Sequence, residues 1–141
     1  MTSLRERLRE VSEGKADPPP IMMTLGMKVV QFGDGKATLK MNVDGKFYNP
    51  MGTLHGGVMT DLADACMGIA TMTTLGEDET FTTLELKMNF IRPVYEDELT
   101  AEARVLHRGR KVVLVESEVK NREGKDVARG TATQMVLPST N

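Results

Sequence analysis

Apolar residues recur along this chain with two different periods, and the switch between them divides it into elements. Leu4, Leu8 and Val11 share one helical face behind Ser3, and Glu6 follows Ser3 by three residues, so a short amphipathic helix starts there and ends before Gly14. Asp17-Pro18-Pro19-Pro20 predicts an extended connector. Residues 27–32 read as a strand, Gly33-Asp34-Gly35 as a turn, and 36–43 alternate polar with apolar, which predicts a hairpin with one buried face. Asn49-Pro50 and Gly52 mark a loop. From 57 to about 74 apolar residues fall on nearly all sides of a helix, which predicts a long buried helix.

After a polar break at 76–79 the period becomes two. Thr82, Leu84, Leu86, Met88 and Phe90 are expected on one strand face, opposite Thr83, Glu85, Lys87 and Asn89. Leu99, Ala101, Ala103 and Val105 form the next inward row, then Val113, Val115, Ser117 and Val119, and a last strand spans 127–137. The inventory is two strands, one long helix, then four strands expected in meander order. One helix cannot cover both faces of such a sheet. The expected architecture is α+β, an antiparallel sheet of about six strands wrapped around one long central helix, with a short N-terminal helix. Such a sheet leaves an edge that a second copy can extend, so a homo-oligomer is expected.

Length and charge narrow the classes. A chain of 141 residues fits one domain, 1–141, in which 1–20 are the first helix and the proline connector. A net charge of −2 argues against a nucleic-acid surface. The single Cys66 excludes an internal disulfide, and with two histidines a conventional zinc cluster is not expected. The first residues are charged and carry no apolar signal core, and no apolar run is long enough to span a bilayer, so a soluble, cytoplasmic protein without a membrane partner is expected. Eleven methionines and no tryptophan fit either an adaptable core or the lining of a pocket.

The candidate chemistry sits where the loop enters the helix. Gly56 and Gly57 leave backbone N–H groups at the helix start, where the dipole favours negative charge. Asp61 and Asp64 follow, and a carboxylate on a buried helix is costly unless paired or used. An oxyanion-binding end followed by a carboxylate outlines a hydrolytic site. Asp61 lies nearer the first turns and reads as dipole-stabilising; Cys66 reads as a small core residue, and His107 as solvated.

Asn49, Gly52-Thr53-Leu54-His55-Gly56-Gly57, Asp64 in the helix, and Phe90-Ile91-Arg92-Pro93 ending a strand together resemble the hotdog-fold acyl-CoA thioesterases, in particular the PaaI-like branch of the phenylacetate pathway. The resemblance covers roughly 22–137. It implies hydrolysis of an acyl- or arylacyl-CoA to the free acid and coenzyme A, with no metal or redox cofactor. It also implies that the Gly56 N–H polarises the thioester carbonyl, and that Asn49 and His55 orient carbonyl and water. Asp64 would act as general base or nucleophile, and Thr83 would stand where the family often has a serine or threonine that positions the water. The basic run His107-Arg108-Gly109-Arg110-Lys111, with Arg92, is either an exposed turn or a grip for the coenzyme A phosphates.

Spacing adds a constraint of its own. Gly56 and Asp64 are eight residues apart, about 12 Å along a helix, whereas water attacking a carbonyl at Gly56 must stand roughly 3 Å from it. If both act on one thioester, Asp64 comes from a partner subunit. A homodimer is then needed for the site, and the resemblance implies a homotetramer. Two other classes fit the same residues: a non-catalytic acyl-CoA binding or sensing module, and a hotdog hydratase or dehydratase.

Overall fold

Ser3 caps the first helix as its position predicts: its hydroxyl accepts the Glu6 N–H at 3.2 Å, and α1 (Leu4–Ser12) buries Leu8. The computed structural model describes residues 2–140; Met1 and Asn141, the ends of the expected domain, lie outside the described residues. The proline run is extended only through Pro19, at φ −54° and ψ 143°. Pro20, expected in the connector, instead opens a second short helix, α2 (Pro20–Leu25), closed by Gly26 at φ 75°. Proline fits a first helical position because the N–H it lacks would have no helical acceptor there.

The hairpin forms β1 (Lys28–Gly33) and β2 (Lys36–Val43), and α3 spans Gly56–Met72. It stops two residues short of 74 because the hydroxyls of Thr73 and Thr74 donate to Ala70 O and Thr71 O, at 2.7 and 2.8 Å, and take up the last carbonyls. Then come β3 (Glu79–Phe90), β4 (Asp97–Arg108), β5 (Val112–Lys120) and β6 (Asp126–Pro138). All neighbours are antiparallel in one six-stranded sheet ordered β1-β2-β4-β5-β6-β3.

The expected meander therefore holds for β4, β5 and β6 alone. β3 lies beyond β6 at the far edge, and β4 takes the place beside β2. The link 91–96 carries the chain back across the ends of β6 and β5: Ile91 and Arg92 donate to Val127 O, and Asp97 accepts from Arg122 N. Alternation along a strand states which face a residue takes and says nothing of which strand lies beside it.

The sheet curls round α3, which packs mainly over β4, β2 and β5. Small residues let it come close: Ala63, Cys66 and Ala70 are fully buried against it, and Cys66 Sγ lies 3.4 Å from both Ala37 O and Ala101 O. Burial pushes the Cys66 thiol up to about 12, so it is a core residue and no nucleophile. The inward rows of β4 and β5 are those expected, from Leu99 to Ala103 and from Val113 to Val119.

Two faces differ from expectation. α3 is not covered on all sides: Gly57, Asp61 and Asp64 form an exposed stripe one and two turns into the helix. In β3 the register with β6 shifts between Thr83 and Glu85, leaving Leu84 as an extra residue. That bulge breaks the alternation. Phe81 and Thr83 pair with Val136 and Gln134, on the inward side, as Leu86 and Met88 do further along, while Leu84 is 56% exposed.

Candidate active site

The loop before α3 is held by one amide. Asn49 Oδ1 accepts the N–H groups of Met51 and Thr53, at 3.0 and 3.2 Å, and its Nδ2 donates to Thr53 Oγ1 at 3.0 Å. Backbone bonds from Leu54 N to Val94 O (2.7 Å) and from His55 N to Phe47 O (2.9 Å) fix where the helix begins. Asn49 is thus a residue that shapes the loop, and its amide is engaged there rather than turned toward an open site.

His55 is the N-cap in extended conformation, with no side-chain cap bond, and its carbonyl accepts from Val58 N. Gly56 and Gly57 follow as the first helical residues, so their N–H groups have no intrahelical acceptor. Each glycine has a steric reason. A Cβ on Gly56 would stand 2.9 Å from Phe90 Cζ, and one on Gly57 would stand 3.0 Å from the imidazole of His55. The Phe90 ring therefore lies against the amide end of the helix, and the His55 ring folds over Gly57.

Asp61 and Asp64 share the exposed stripe that starts at Gly57. Loss of solvent at the helix surface raises the Asp61 pKa, a rise offset by the nearby His55. Asp64 is raised first by burial and then by the negative charge of Asp61. A carboxylate held above its usual pKa is a better proton acceptor once ionised. Further along the same side of α3, where the helix is buried, a Cβ on Gly68 would lie 3.4 Å from the Phe81 ring. α3 and β3 therefore pass one another between two aromatic contacts, Gly56 against Phe90 and Gly68 against Phe81. Asp64 opens on the flank between them.

Thr83 follows Phe81 by two residues on the same inward face of β3, and the bulge comes immediately after it. The Thr83 hydroxyl accepts from Gln134 Nε2 at 3.4 Å, and Gln134 Oε1 accepts from Thr71 Oγ1 at 2.5 Å. Gln134 and Thr71 are both fully buried. Sequence reasoning missed Gln134, and it named Phe90 in the motif that ends β3 without foreseeing its contact with Gly56. Gln134 did carry a signal, as the polar member of the inward row that includes Ala128, Gly130 and Ala132.

The basic candidates are not brought together in one chain. Arg92 follows β3 at the Phe90 end, where its guanidinium donates to Asp126 O. Arg108 sits at the other end of β3, paired to Glu79 at 2.5 Å with only 25% of its side chain exposed. Arg110 and Lys111 are exposed in the β4–β5 turn beside it, and His107 is exposed as expected. One concavity of the single chain, of about 540 Å³, lies elsewhere, lined by α1, the β1–β2 turn and the end of α3.

A six-stranded antiparallel sheet curled round one long helix defines the hotdog fold, here with unclaimed amides at the helix start and a carboxylate two turns on. The chain belongs to the thioesterase superfamily, whose family model matches residues 51–128. It is similar to acyl-coenzyme A thioesterase 13 of Pongo abelii, 29% identical over 95% of this chain and 97% of that one. Its structure matches that of a phenylacetic acid degradation-related protein of Ralstonia eutropha, with TM-score 0.83, 31% identity, and 90% and 97% of the two chains covered. The PaaI protein of the Escherichia coli phenylacetic acid degradation operon shares the fold, with TM-score 0.84 at 24% identity over 98% and 99% of the chains. Among the described residues, no helix is long and apolar enough to cross a membrane.

Proposed function

We propose that this protein hydrolyses an acyl- or arylacyl-CoA thioester to the free acid and coenzyme A, at a site completed by the Asp64 of a partner subunit. The observation that carries the reading is the layout of α3: free amides at Gly56 and a carboxylate with a raised pKa at Asp64, about 12 Å apart along one helix. Neither reaches the other, so each completes a different site.

A partner of the right geometry is a second copy. β3 is an edge strand of 12 residues whose outer backbone groups have no sheet neighbour, and Leu84 and Phe90 along it are 56% and 54% exposed. Antiparallel pairing of two such edges sets the Glu79 end of one chain beside the Phe90 end of the other. Gly56 of one chain then faces the Asp64 flank of its partner. The same pairing brings Arg110 and Lys111 of one chain toward Arg92 of the other, which supports these three as the phosphate grip. Arg108 is committed to Glu79 and braces the turn. The same contacts leave the outer sheet face for assembly of dimers into a tetramer.

The chemistry follows from charge. The thioester carbonyl accepts the Gly56 N–H, at the positive end of α3, and His55 and Asn49 hold the loop that aims it. The partner's Asp64 takes a proton from water as the water oxygen bonds to the carbonyl carbon; Thr83 beside that Asp64 donates to the water or carboxylate. The oxyanion collapses, the carbon–sulfur bond breaks, and the thiolate of coenzyme A leaves and takes the proton held by the partner's Asp64, which returns that carboxylate to its ionised form. A thioester is activated enough for one oxyanion donor and one carboxylate to suffice. The test is release of free thiol from a panel of aliphatic and arylacetyl-CoA substrates. No release from any of them, with acyl-CoA binding intact, turns the reading to a binding module.

A further inference from the structure

We propose that Gln134 is a positioning residue for the hydrolysis, holding the Thr83 hydroxyl so that its own proton is directed to the Asp64 flank. The proposal rests on the reading of Thr83 given above and assigns what sets that hydroxyl's direction. Gln134 is fully buried in the inward row of β6, whose other members are Val136, Ala132, Gly130 and Ala128. A buried amide is costly unless its polar atoms are paired. Here the carbonyl end accepts from Thr71 Oγ1 at 2.5 Å, which leaves the NH₂ end to donate to Thr83 Oγ1 at 3.4 Å.

The order of donors matters. Thr71 donates to the amide oxygen, so the amide is oriented with its nitrogen toward β3. Thr83 oxygen then accepts, and the Thr83 proton is the one not used inside the core. A chain of donors of this kind strengthens the last of them. A core contact alone would not need such a chain, because the Thr71 hydroxyl has an alternative acceptor in the carbonyl one turn back along α3.

A second feature points to the same hydroxyl. β3 breaks its alternation at Leu84, immediately after Thr83, and without that extra residue Thr83 and Leu86 could not both face inward. The strand is interrupted at the position that sets Thr83 against Gln134. Two independent devices, a bulge in β3 and a buried amide in β6, converge on one side chain at the edge of the proposed site.

The experiment is a double-mutant cycle in thiol release, with kcat and KM measured on one acyl-CoA. Gln134→Met keeps the length and apolar fit; it should lower kcat about five- to ten-fold and leave KM within about two-fold, the scale of a misdirected group beside a reacting centre. Thr83→Val should lower kcat at least as much. In the Thr83→Val background Gln134→Met should cost nothing further, because the hydroxyl it directs is gone. If Gln134→Met is poorly folded, Thr71→Val, which keeps the amide but frees it to turn, should give a smaller kcat loss that likewise disappears with Thr83→Val. An undiminished loss in the Thr83→Val background marks Gln134 as a packing residue and overturns the proposal. Unchanged kcat in Gln134→Met while Thr83→Val is impaired overturns it and leaves the Thr83 role standing. Unchanged kcat in Thr83→Val itself removes that role, and the proposal with it.

Discussion

The Phe90 ring stands where a side chain on Gly56 would begin, 2.9 Å from the position of a Cβ. Gly56 is required there by its neighbour rather than by its backbone. Gly56→Ala should therefore lower stability by about 1–3 kcal/mol, as overpacking does, and reduce turnover by moving the amide. Adding Phe90→Leu should recover part of both, measured as Tm and kcat. Equal losses with and without Phe90 would place the constraint elsewhere.

Asp64→Asn should lower kcat by about 10² or more, the scale of losing a general base. Binding of a non-hydrolysable acyl-CoA, followed by calorimetry, should persist. Asp61→Asn should keep most of the turnover. The reverse pattern would move the chemistry to Asp61.

Acidity should report the same pair. Asp64 must be ionised to accept a proton, so kcat/KM should fall as pH drops through its raised pKa. Burial is the first cause of the rise and the charge of Asp61 the second. Asp61→Asn removes the second cause, lowers the Asp64 pKa and should shift the acid limb to lower pH. A limb that stays in place in the pH profile would show that the two carboxylates do not communicate.

Sharing of the site is testable by complementation. Asp64→Asn and Gly56→Pro are each expected to be nearly inactive as homodimers, the second because proline has no N–H. The backbone suits that proline, because Gly56 is the first helical residue and His55 before it is extended. The proline Cβ meets the Phe90 ring as an alanine's does, so Gly56→Pro is combined with Phe90→Leu and its folding and dimerisation are checked first. Differently tagged chains, co-expressed and purified as folded heterodimers, should regain up to about half of wild-type activity per dimer. No recovery would sink the shared site.

The basic turn should divide by burial. Arg110→Ala and Lys111→Ala should raise KM for acyl-CoA with little change in kcat, and added salt should weaken inhibition by coenzyme A. Arg108→Ala should instead lower Tm, by loss of on the order of 1 kcal/mol from a partly buried pair, because it leaves Glu79 without its cation. A KM effect from Arg108 alone would reverse these assignments.

What the chain disclosed in advance was local. Ser3 with Glu6, the alternating row from Leu99 to Ala103, and the glycines before an apolar helix each state their own geometry, and each holds in the structure. Pairing of β3 with β6 was not legible, because a hydrogen-bonded edge leaves no trace in side-chain alternation. Pro20 was misread because the same residue ends an extended run and begins a helix. The exposure of Asp64 was misread because Asp61 and Asp64 are the minority on a helix whose other faces are apolar; their stripe emerges only when Gly57 is set beside them. Gln134 was passed over as one more polar residue in a strand.

The extra residue at Leu84 works like a phase shift in a repeating signal. A strand with strict alternation has a single setting along its whole length, so Phe81 and Thr83 could face the helix only if Leu86 and Met88 faced away. One inserted residue lets two halves of β3 keep opposite parities, the first serving the polar contact with Gln134 and the second the apolar floor. Deleting Leu84 would therefore not trim a protruding side chain. It would invert one half of the strand, and so exchange inside for outside along the edge on which a second copy is proposed to pair.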